Sequence, residues 1–438
     1  MMKQRAVLGV VLMLGAAAWA QAPRRDKQAA PPDKTIAVHC EQMWDGVSEG
    51  LRKDVTIVVH GDRIKEIVAG TIHPSAEIPQ VADTMGTCMP GLIDAHTHVL
   101  LQEDVTAQQY DDQILKESVA FRTLRAVRSA RLALQYGFTT IRDLETEGAG
   151  YADVDLKKAI NQGIVPGPRM EVAGRAMDVT GAYPVLGYDW QLQPKLPHGV
   201  QEVGGVEGGR KAVREQISYG IDWVKVYVDR SYYLRPDGVL DDIPTFTLDE
   251  LKAIVDEAHR ERHKVAAHAM ALQGVHNAVT AGVDSIEHGD YISDADLQTM
   301  KEKGIYYTPT MWVGAYMSEG RGGEWPKMVA VSNETFQRAM KAGVKIAYGT
   351  DIGGFSWDIT PAKQFETMVK LGMTPREAIL TSIHTGAELM GMQNEIGTLE
   401  PGKYADIIVV PGNPLEDITT LQKVDFTMKG GVVEYQKQ

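Results

Sequence analysis

The pattern of hydrophobic and polar positions divides the chain into two β-rich ends and an alternating middle. In short runs at both ends, apolar and polar residues alternate, which is typical of strands with one buried face. Turn signals at Gly61 and Gly430 interrupt these runs, where hairpins would reverse the chain. We therefore expect residues 34–88 and 393–438 to pair into one small split β-sandwich domain.

The middle of the chain alternates short apolar runs with amphipathic segments such as residues 115–136 and 249–263. Eight strands with helices between them are typical of a (β/α)8 TIM-type barrel, which would span residues 89–392. A doubly wound α/β sheet is the alternative, but a histidine pair stands where its glycine-rich phosphate loop would follow the first strand. The eight predicted strands are residues 91–98, 138–144, 168–174, 222–228, 264–270, 284–289, 305–311 and 344–351.

The N-terminus has the pattern of a secretory signal peptide. Lys3 and Arg5 precede an apolar run, and an A-x-A cleavage motif ends at Ala20. The apolar run is too short to span a bilayer comfortably. We expect residues 1–20 to be removed, residues 21–33 to form a disordered leader, and the mature protein to be secreted or periplasmic.

The charge balance limits the classes of partner. The formal charge of −13 becomes −15 once Lys3 and Arg5 leave with the signal peptide. An acidic surface argues against nucleic acid, or a membrane after signal cleavage, as a partner. We expect a small-molecule substrate, and the sequence leaves a homo-oligomer open. Cys40 and Cys88 are expected to be buried free thiols, with a disulfide as the alternative in an exported protein.

The segment PGLIDAHTH, residues 90–98, places two histidines at the end of the first strand of the middle region. Side chains at positions i and i+2 of a strand point to the same face. His96 and His98 can therefore converge on one metal ion. Taken alone, the pair could also be two ordinary polar residues in a loop.

Further residues with metal-binding chemistry occur at the ends of other predicted strands, where the active sites of such barrels lie. Each has an ordinary structural interpretation: a snorkelling lysine, a hydrogen-bonded core histidine or a helix N-cap. Their joint occurrence on the right strands instead favours a metal centre. These residues are Lys225, His268, His288 and Asp351.

Lys225 cannot bind a metal as an ammonium group. Addition of carbon dioxide to its amine would give a carbamate with two oxygens and a negative charge. Such a carbamylated lysine could bridge two divalent ions that also share a hydroxide. Imidazole ligands favour Zn²⁺, although bridging carboxylate-type groups also accept Mn²⁺ or Fe²⁺.

These motifs resemble the amidohydrolase superfamily, and within it the imidazolonepropionase-like branch that includes metal-dependent dipeptidases of the prolidase type. The resemblance covers residues 34–435 and includes GFTTIRDLET and GTLEPGKYADIIVV. It implies a first metal held by His96, His98 and Asp351. It further implies a bridging carbamate at Lys225. The second metal would be held by His268 and His288.

The expected function is metal-dependent hydrolysis of an amide or peptide bond in dipeptides or N-acyl amino acids. A metal-bridging hydroxide would attack the carbonyl, and Asp351 would carry the proton to the leaving amine. Tyr227, two residues after Lys225, would stand at the carbonyl. A buried guanidinium at Arg230 would bind a substrate carboxylate, and a solvated loop charge is the alternative at this position. The alternatives are a cyclic-amide or lactone hydrolase with the same binuclear site, and a non-catalytic protein on a decayed barrel.

Overall fold

The computed structural model describes residues 33–183, 188–189 and 191–437. The predicted signal peptide and nearly all of the predicted leader lie outside these ranges. Within them, no helix combines the length and the apolar character that crossing a bilayer requires.

Eighteen strands lie in the described ranges. In chain order they are β1 Thr35–Met43, β2 Arg52–His60, β3 Arg63–Ala69, β4 Gln80–Pro90, β5 Leu92–Thr97, β6 Phe138–Asp143, β7 Arg169–Val172, β8 Met177–Val179, β9 Gln201–Val203, β10 Trp223–Tyr227, β11 Asp229–Leu234, β12 Leu240–Pro244, β13 Lys264–Ala269, β14 Ser285–His288, β15 Tyr306–Thr308, β16 Ile407–Val410, β17 Phe426–Lys429 and β18 Val432–Gln436.

Twelve α-helices separate or follow the strands in the same part of the chain, with a π-helical turn at Thr381–Gly386. The helices are α1 Ala107–Lys116, α2 Val119–Gln135, α3 Ala152–Asn161, α4 Gly205–Tyr219, α5 Leu248–Arg260, α6 Leu272–Ala281, α7 Asp294–Lys303, α8 Met311–Arg321, α9 Trp325–Ala342, α10 Lys363–Lys370, α11 Pro375–Leu380 and α12 Ala387–Leu389.

Both ends of the chain contribute to one seven-stranded sheet, in the order β18-β17-β16-β4-β1-β2-β3. The hairpins expected at Gly61 and Gly430 are present, as antiparallel pairs β2–β3 and β17–β18. The strands bury apolar residues such as Val38, Ile57 and Ile407, which form a separate core cluster. The seven strands belong to a single mixed sheet, so the second sheet of the expected sandwich is not seen among the described residues.

The expectation of free thiols was wrong. Cys40 on β1 and Cys88 on β4 form a disulfide, with their Cα atoms 5.8 Å apart. Strands β1 and β4 are parallel neighbours in the sheet, with Cys40 near the register position of Thr84. Strand pairing therefore brings together two cysteines whose separation along the chain carried no information about their distance.

The middle of the chain is an α/β arrangement with parallel sheets. Strands β5, β6 and β7 form one sheet, and β8, β9, β10, β13, β14 and β15 form another. The predicted strand at residues 344–351 is reduced to isolated parallel bridges, Tyr307 with Ile346 and Thr97 with Ile352. Backbone hydrogen bonds from Ala347 to Tyr307 and from Ala95 to Tyr348 still connect it to β15 and β5, 2.9 and 2.8 Å long.

Local capping determines where the helices begin. The predicted helix at 115–136 begins at Val119, because the Ser118 hydroxyl accepts a hydrogen bond from the backbone N–H of Phe121. Helix α5 begins after Thr247, which forms a reciprocal capping box with Glu250. Strands β10, β13 and β14 are parallel neighbours, so their carboxyl ends lie at one edge of the sheet. The end of β5 lies beside them, because the ring of His96 is 5.0 Å from that of His288.

Candidate metal centre

A buried carboxylate on β5, that of Asp94, connects the histidine pair to the segment near Asp351. Asp94 on β5 is buried and accepts hydrogen bonds from the backbone N–H of His96 and from the hydroxyl of Thr350, at 3.1 and 2.6 Å. Burial raises the pKa of Asp94 to about 7, against the effect of the Thr350 hydrogen bond. Asp94 therefore joins the end of β5 to the segment that carries Asp351.

Three residues offer ligand atoms that converge. The candidate ligand atoms of His96, His288 and Asp351 all lie within 4.8 Å of one another. Asp351 Oδ1 lies 3.0 Å from His98 Nε2 and 3.6 Å from His96 Nε2. Two nitrogen donors and an anionic oxygen donor at this spacing fit a divalent ion such as Zn²⁺.

In three of the imidazoles, the Nδ1 atom is hydrogen-bonded to a neighbouring group. His96 Nδ1 lies 2.9 Å from Glu287 Oε2, and His288 Nδ1 lies 2.8 Å from the hydroxyl of Thr310. His98 Nδ1 faces the main-chain oxygen of Glu145 at 3.3 Å. Outer hydrogen bonds of this kind orient metal-binding histidines and leave Nε2 free as the ligand atom.

Glu287 is itself held in place inside the protein. The Arg142 guanidinium donates to Glu287 Oε1 at 2.9 Å, and Ser285 also contacts this oxygen. The side chains of Arg142 and Glu287 are fully buried. The charge pair therefore fixes the carboxylate that orients His96.

His268 lies beside the converging group but outside it. Its ring centroid is 4.4 Å from that of His288, and its Nε2 lies 2.8 Å from the Tyr232 hydroxyl. Tyr232 belongs to the β11–β12 hairpin, which follows β10. The structure thus places His268 next to a candidate ligand, with one ring nitrogen hydrogen-bonded to a tyrosine of this hairpin.

Lys225 provides a second test of whether a metal centre fits. Its side chain is fully buried, and Nζ has no hydrogen-bond partner in the described part of the chain. Burial lowers the pKa of the Lys225 amine. An unpartnered amine costs free energy in the interior, and a neutral amine is the form that adds carbon dioxide. The residue therefore fits the expected carbamate chemistry.

The imidazoles have the protonation that metal binding requires, with one exception. Burial and the nearby Lys225 hold the pKa of His96 well below its ordinary value, and burial lowers the pKa of His288 to about 3. Burial and the neighbouring His288 likewise lower the pKa of His268 strongly. His98 is the exception. Burial lowers its pKa, but the hydrogen bond and charge of Asp351 outweigh burial and raise the pKa to about 10. His98 and Asp351 therefore share a proton, and a divalent cation could replace that proton.

Two of the candidate ligands have unusual backbone conformations. His288 and Asp351 have φ angles of 70° and 59°, in the left-handed region that few non-glycine residues adopt. Next to them, Gly353 has a φ of 113°, and a Cβ there would lie 2.4 Å from the carbonyl oxygen of His98. Strained backbone of this kind is concentrated at functional sites.

A cavity of about 320 Å³ opens above the candidate ligands. Tyr227 and Arg230 line it, and Arg230 is exposed at its rim, so the structure shows the solvated charge rather than the buried guanidinium. Methionine and valine side chains of α8 and α9 form part of the wall. The residues of the candidate metal centre that line this cavity are His98, Lys225, His268, His288 and Asp351.

Sequence reasoning did not identify the residues that orient the centre. Glu287, Thr310 and Glu145 contact candidate ligands, but none is itself at a strand end with ligand spacing. The only signal in the sequence was that these residues lie in the motifs already noted. Glu287 precedes His288 in SIEHGD, and Glu145 lies in RDLET.

The fold and the site together define a hydrolase of the amidohydrolase family. The sequence profile described as "Amidohydrolase family" matches residues 87–433, and the chain belongs to this family. The resemblance inferred from the motifs is thereby confirmed. The class of reaction is hydrolysis of amide or peptide bonds.

Individual relatives cover most of the chain. Ochratoxinase of Aspergillus niger is 33% identical in an alignment of 442 positions, which covers 91% of this chain and 86% of that protein. Imidazolonepropionase of Pseudomonas fluorescens is 23% identical, covering 86% of this chain and 92% of that protein. The crystal structure of a Xaa-Pro dipeptidase with bound methionine matches with a TM-score of 0.80 and 32% identity, covering 92% of this chain and 100% of that chain.

Proposed function

We propose that the protein hydrolyses the amide bond of dipeptides or N-acyl amino acids with the help of two divalent metal ions. The observation that carries this proposal is the convergence of His96, His288 and Asp351 beside a cavity that is lined by a buried, unpartnered Lys225. Similarity to a Xaa-Pro dipeptidase and to an ochratoxinase supports an amide or peptide substrate.

The proposed ligands fall into two groups that share a carbamylated Lys225. His96, His98 and Asp351 would hold one ion, consistent with the 3.0 Å separation of His98 and Asp351. His268 and His288 would hold the other, consistent with their adjacent rings. Zn²⁺ is favoured because four of the donors are imidazoles.

When bound, the ions would polarise the substrate carbonyl and lower the pKa of a water molecule. Asp351 would act as the base. Burial raises its pKa, but the hydrogen bond with His98 and the nearby positive charges outweigh this and lower it, so the carboxylate is ionised and can accept a proton. Its carboxylate would take a proton from the attacking water and transfer it to the leaving nitrogen. Thr310 and Glu287 keep the neighbouring imidazoles in orientation.

Two residues are proposed to contact the substrate. Tyr227 lines the cavity with its ring 4.4 Å from that of His268, and it would stand at the substrate carbonyl. Arg230 would bind a free carboxylate from the rim. Because its guanidinium is exposed, water screens this interaction more than it would screen a buried one.

We also propose that the parallel strands close into a (β/α)8 barrel spanning residues 89–392, beside a split β-domain. The hydrogen bonds from Asp222 to Val172 and from Ala95 to Tyr348, both 2.8 Å long, support closure. Export is a further proposal, supported by the N-terminal pattern and by the Cys40–Cys88 disulfide, since disulfides persist in oxidising compartments.

A substrate screen tests the proposed function. Zn²⁺-loaded protein is incubated with dipeptides, N-acyl amino acids, the corresponding C-terminal amides, and cyclic amides or lactones. The proposal expects cleavage of compounds with a free carboxylate. Equal cleavage of acids and amides, or turnover of ring compounds alone, would contradict it in favour of a cyclic-amide or lactone hydrolase.

A further inference from the structure

We propose that Glu145 is a positioning residue that fixes the hydroxyl group of Tyr227 at the substrate cavity. The inference rests on the proposed amide hydrolysis and adds a residue to it. The Tyr227 hydroxyl donates a hydrogen bond to Glu145 Oε2 at 2.7 Å, and this bond connects the segment after β6 to the end of β10. A hydroxyl can rotate about its C–O bond, so a fixed acceptor for its hydrogen leaves its lone pairs to accept a hydrogen bond from the substrate, such as from the amide N–H.

The side chain of Glu145 makes one hydrogen bond among the described residues, the one with Tyr227. Glu145 is fully buried, and its Oε1 has no hydrogen-bond partner among the described residues. Its main-chain oxygen faces His98, but that contact does not need an acidic side chain. A buried, half-satisfied carboxyl group is unfavourable for folding, and an apolar side chain of similar size would be less so. The contact with Tyr227 offers a reason for the acid.

Tyr227 is the member of this pair that meets the substrate. Its ring lies between two other aromatic groups of the cavity wall, 4.4 Å from His268 and 5.3 Å from Tyr183. These contacts fix the plane of the ring but not the rotation of its hydroxyl. The hydrogen bond with Glu145 fixes the rotation of the hydroxyl. A hydrogen-bonding group that is already oriented before the reaction stabilises the transition state better than a mobile one.

The test is a double-mutant cycle on kcat/KM for a cleaved dipeptide. Tyr227→Phe should lower kcat/KM about tenfold, the value of one hydrogen bond. Glu145→Leu should lower it by the same factor, and should add little in the Tyr227→Phe background, because the hydroxyl it positions is already absent. Glu145→Gln should restore most of the activity, since an amide can also bind the hydroxyl. Glu145→Ala replaces Glu145→Leu in the cycle should the latter fail to fold.

A matched control is Glu171→Leu. Glu171 accepts a hydrogen bond from the Trp223 indole at 2.6 Å and does not line the cavity, so this change should affect the melting temperature but not kcat/KM. The metal content of each variant is measured as well. Additive losses in the cycle, failure of Glu145→Gln to restore activity, or metal loss in parallel with activity would overturn the proposal.

Calorimetric titration with the same dipeptide separates this inference from the proposed function. If the wild type binds but cleaves no amide, the proposed function fails, and the cycle is then read from dissociation constants. Non-additive weakening by Tyr227→Phe and Glu145→Leu supports the positioning role even then. Additive weakening, or none, overturns it.

Discussion

Asp351 Oδ1 lies 3.0 Å from Nε2 of His98, although the two residues stand at opposite ends of the middle region. The backbone brings them together, because the N–H of Asp351 donates to the carbonyl of His96 at 2.8 Å. The carboxylate shares a proton with an imidazole at the place where a divalent ion would bind both. The contact would therefore link the first of the proposed metal ions to the residue proposed to transfer the proton.

Replacement of that carboxylate should affect the chemical step. Asp351→Asn removes the base, and loss of a general acid–base group typically lowers the rate by about 10²–10⁴-fold. We expect kcat to fall by that factor while KM changes little. Asp222→Asn is the control, because Asp222 pairs with Lys157 at 2.6 Å away from the cavity. A variant at position 351 that retains most of its kcat would assign proton transfer to another group.

The hydroxyl of Thr310 should matter for metal binding. Thr310→Val keeps the side-chain shape but removes the partner of His288 Nδ1, and loss of such outer hydrogen bonds typically costs about 10–100-fold in metal affinity or activity. Competition with a chelator measures the affinity. Thr308→Val is the matched control, because Thr308 is buried and its hydroxyl has no hydrogen-bond partner among the described residues. Equal metal affinities in the two variants would show that the Thr310 hydroxyl does not contribute to metal binding.

Arg230 should set the preference for substrates with a free carboxylate. Arg230→Met is expected to reduce the acid-over-amide ratio of kcat/KM about tenfold, the lower range for a charge-assisted hydrogen bond, because the guanidinium is exposed. Arg235→Met on the same hairpin, whose guanidinium lies 2.8 Å from Asp237, should leave the ratio unchanged. An unchanged ratio in Arg230→Met would place carboxylate recognition elsewhere.

A pH-dependent contribution to stability is expected in the seven-stranded sheet. The hydrogen bond with Asp83 raises the pKa of His39 above 6.5, against partial burial, and a second one with Asp54 adds to it. Because the folded state binds the proton more tightly, this stabilisation is present below pH 6.5 and is lost as the pH rises through the folded pKa. His39→Gln should therefore lower the melting temperature more at pH 5.5 than at pH 8.5.

The control for this experiment is His60→Gln, because His60 contacts the hydroxyl of Thr35 rather than a carboxylate. Its effect on the melting temperature should be similar at both pH values. A loss in His39→Gln that is larger at pH 8.5 would show that the sign of the linkage is reversed.

The candidate ligands could be found from the sequence because strand periodicity and strand ends are local properties. His96 and His98 follow from a short apolar run whose carboxyl end could be located. Lys225 was expected at the end of its strand, but it is the middle residue of β10. The β-sheet at the ends of the chain was predicted for the same reason. Its single-sheet topology was not, because alternation specifies which face is buried but not how many sheets form.

The groups around the ligands could not be predicted in this way. The pairing of Cys40 with Cys88 depends on the parallel register of β1 and β4, and the contact of Thr310 with His288 depends on where α8 begins. Whether Arg230 is buried or solvated could not be decided from the sequence, and the hairpin after β10 places it at the rim. Each of these depends on distances between segments that no local pattern encodes.

The most direct test of the central claim is the metal content of the wild type and of Lys225→Ala, measured by plasma mass spectrometry together with dipeptide hydrolysis. The account predicts two divalent ions per chain in the wild type, and loss of metal and activity in the variant, with partial rescue by short carboxylic acids that replace the carbamate. Full metal occupancy and undiminished turnover in Lys225→Ala would contradict it.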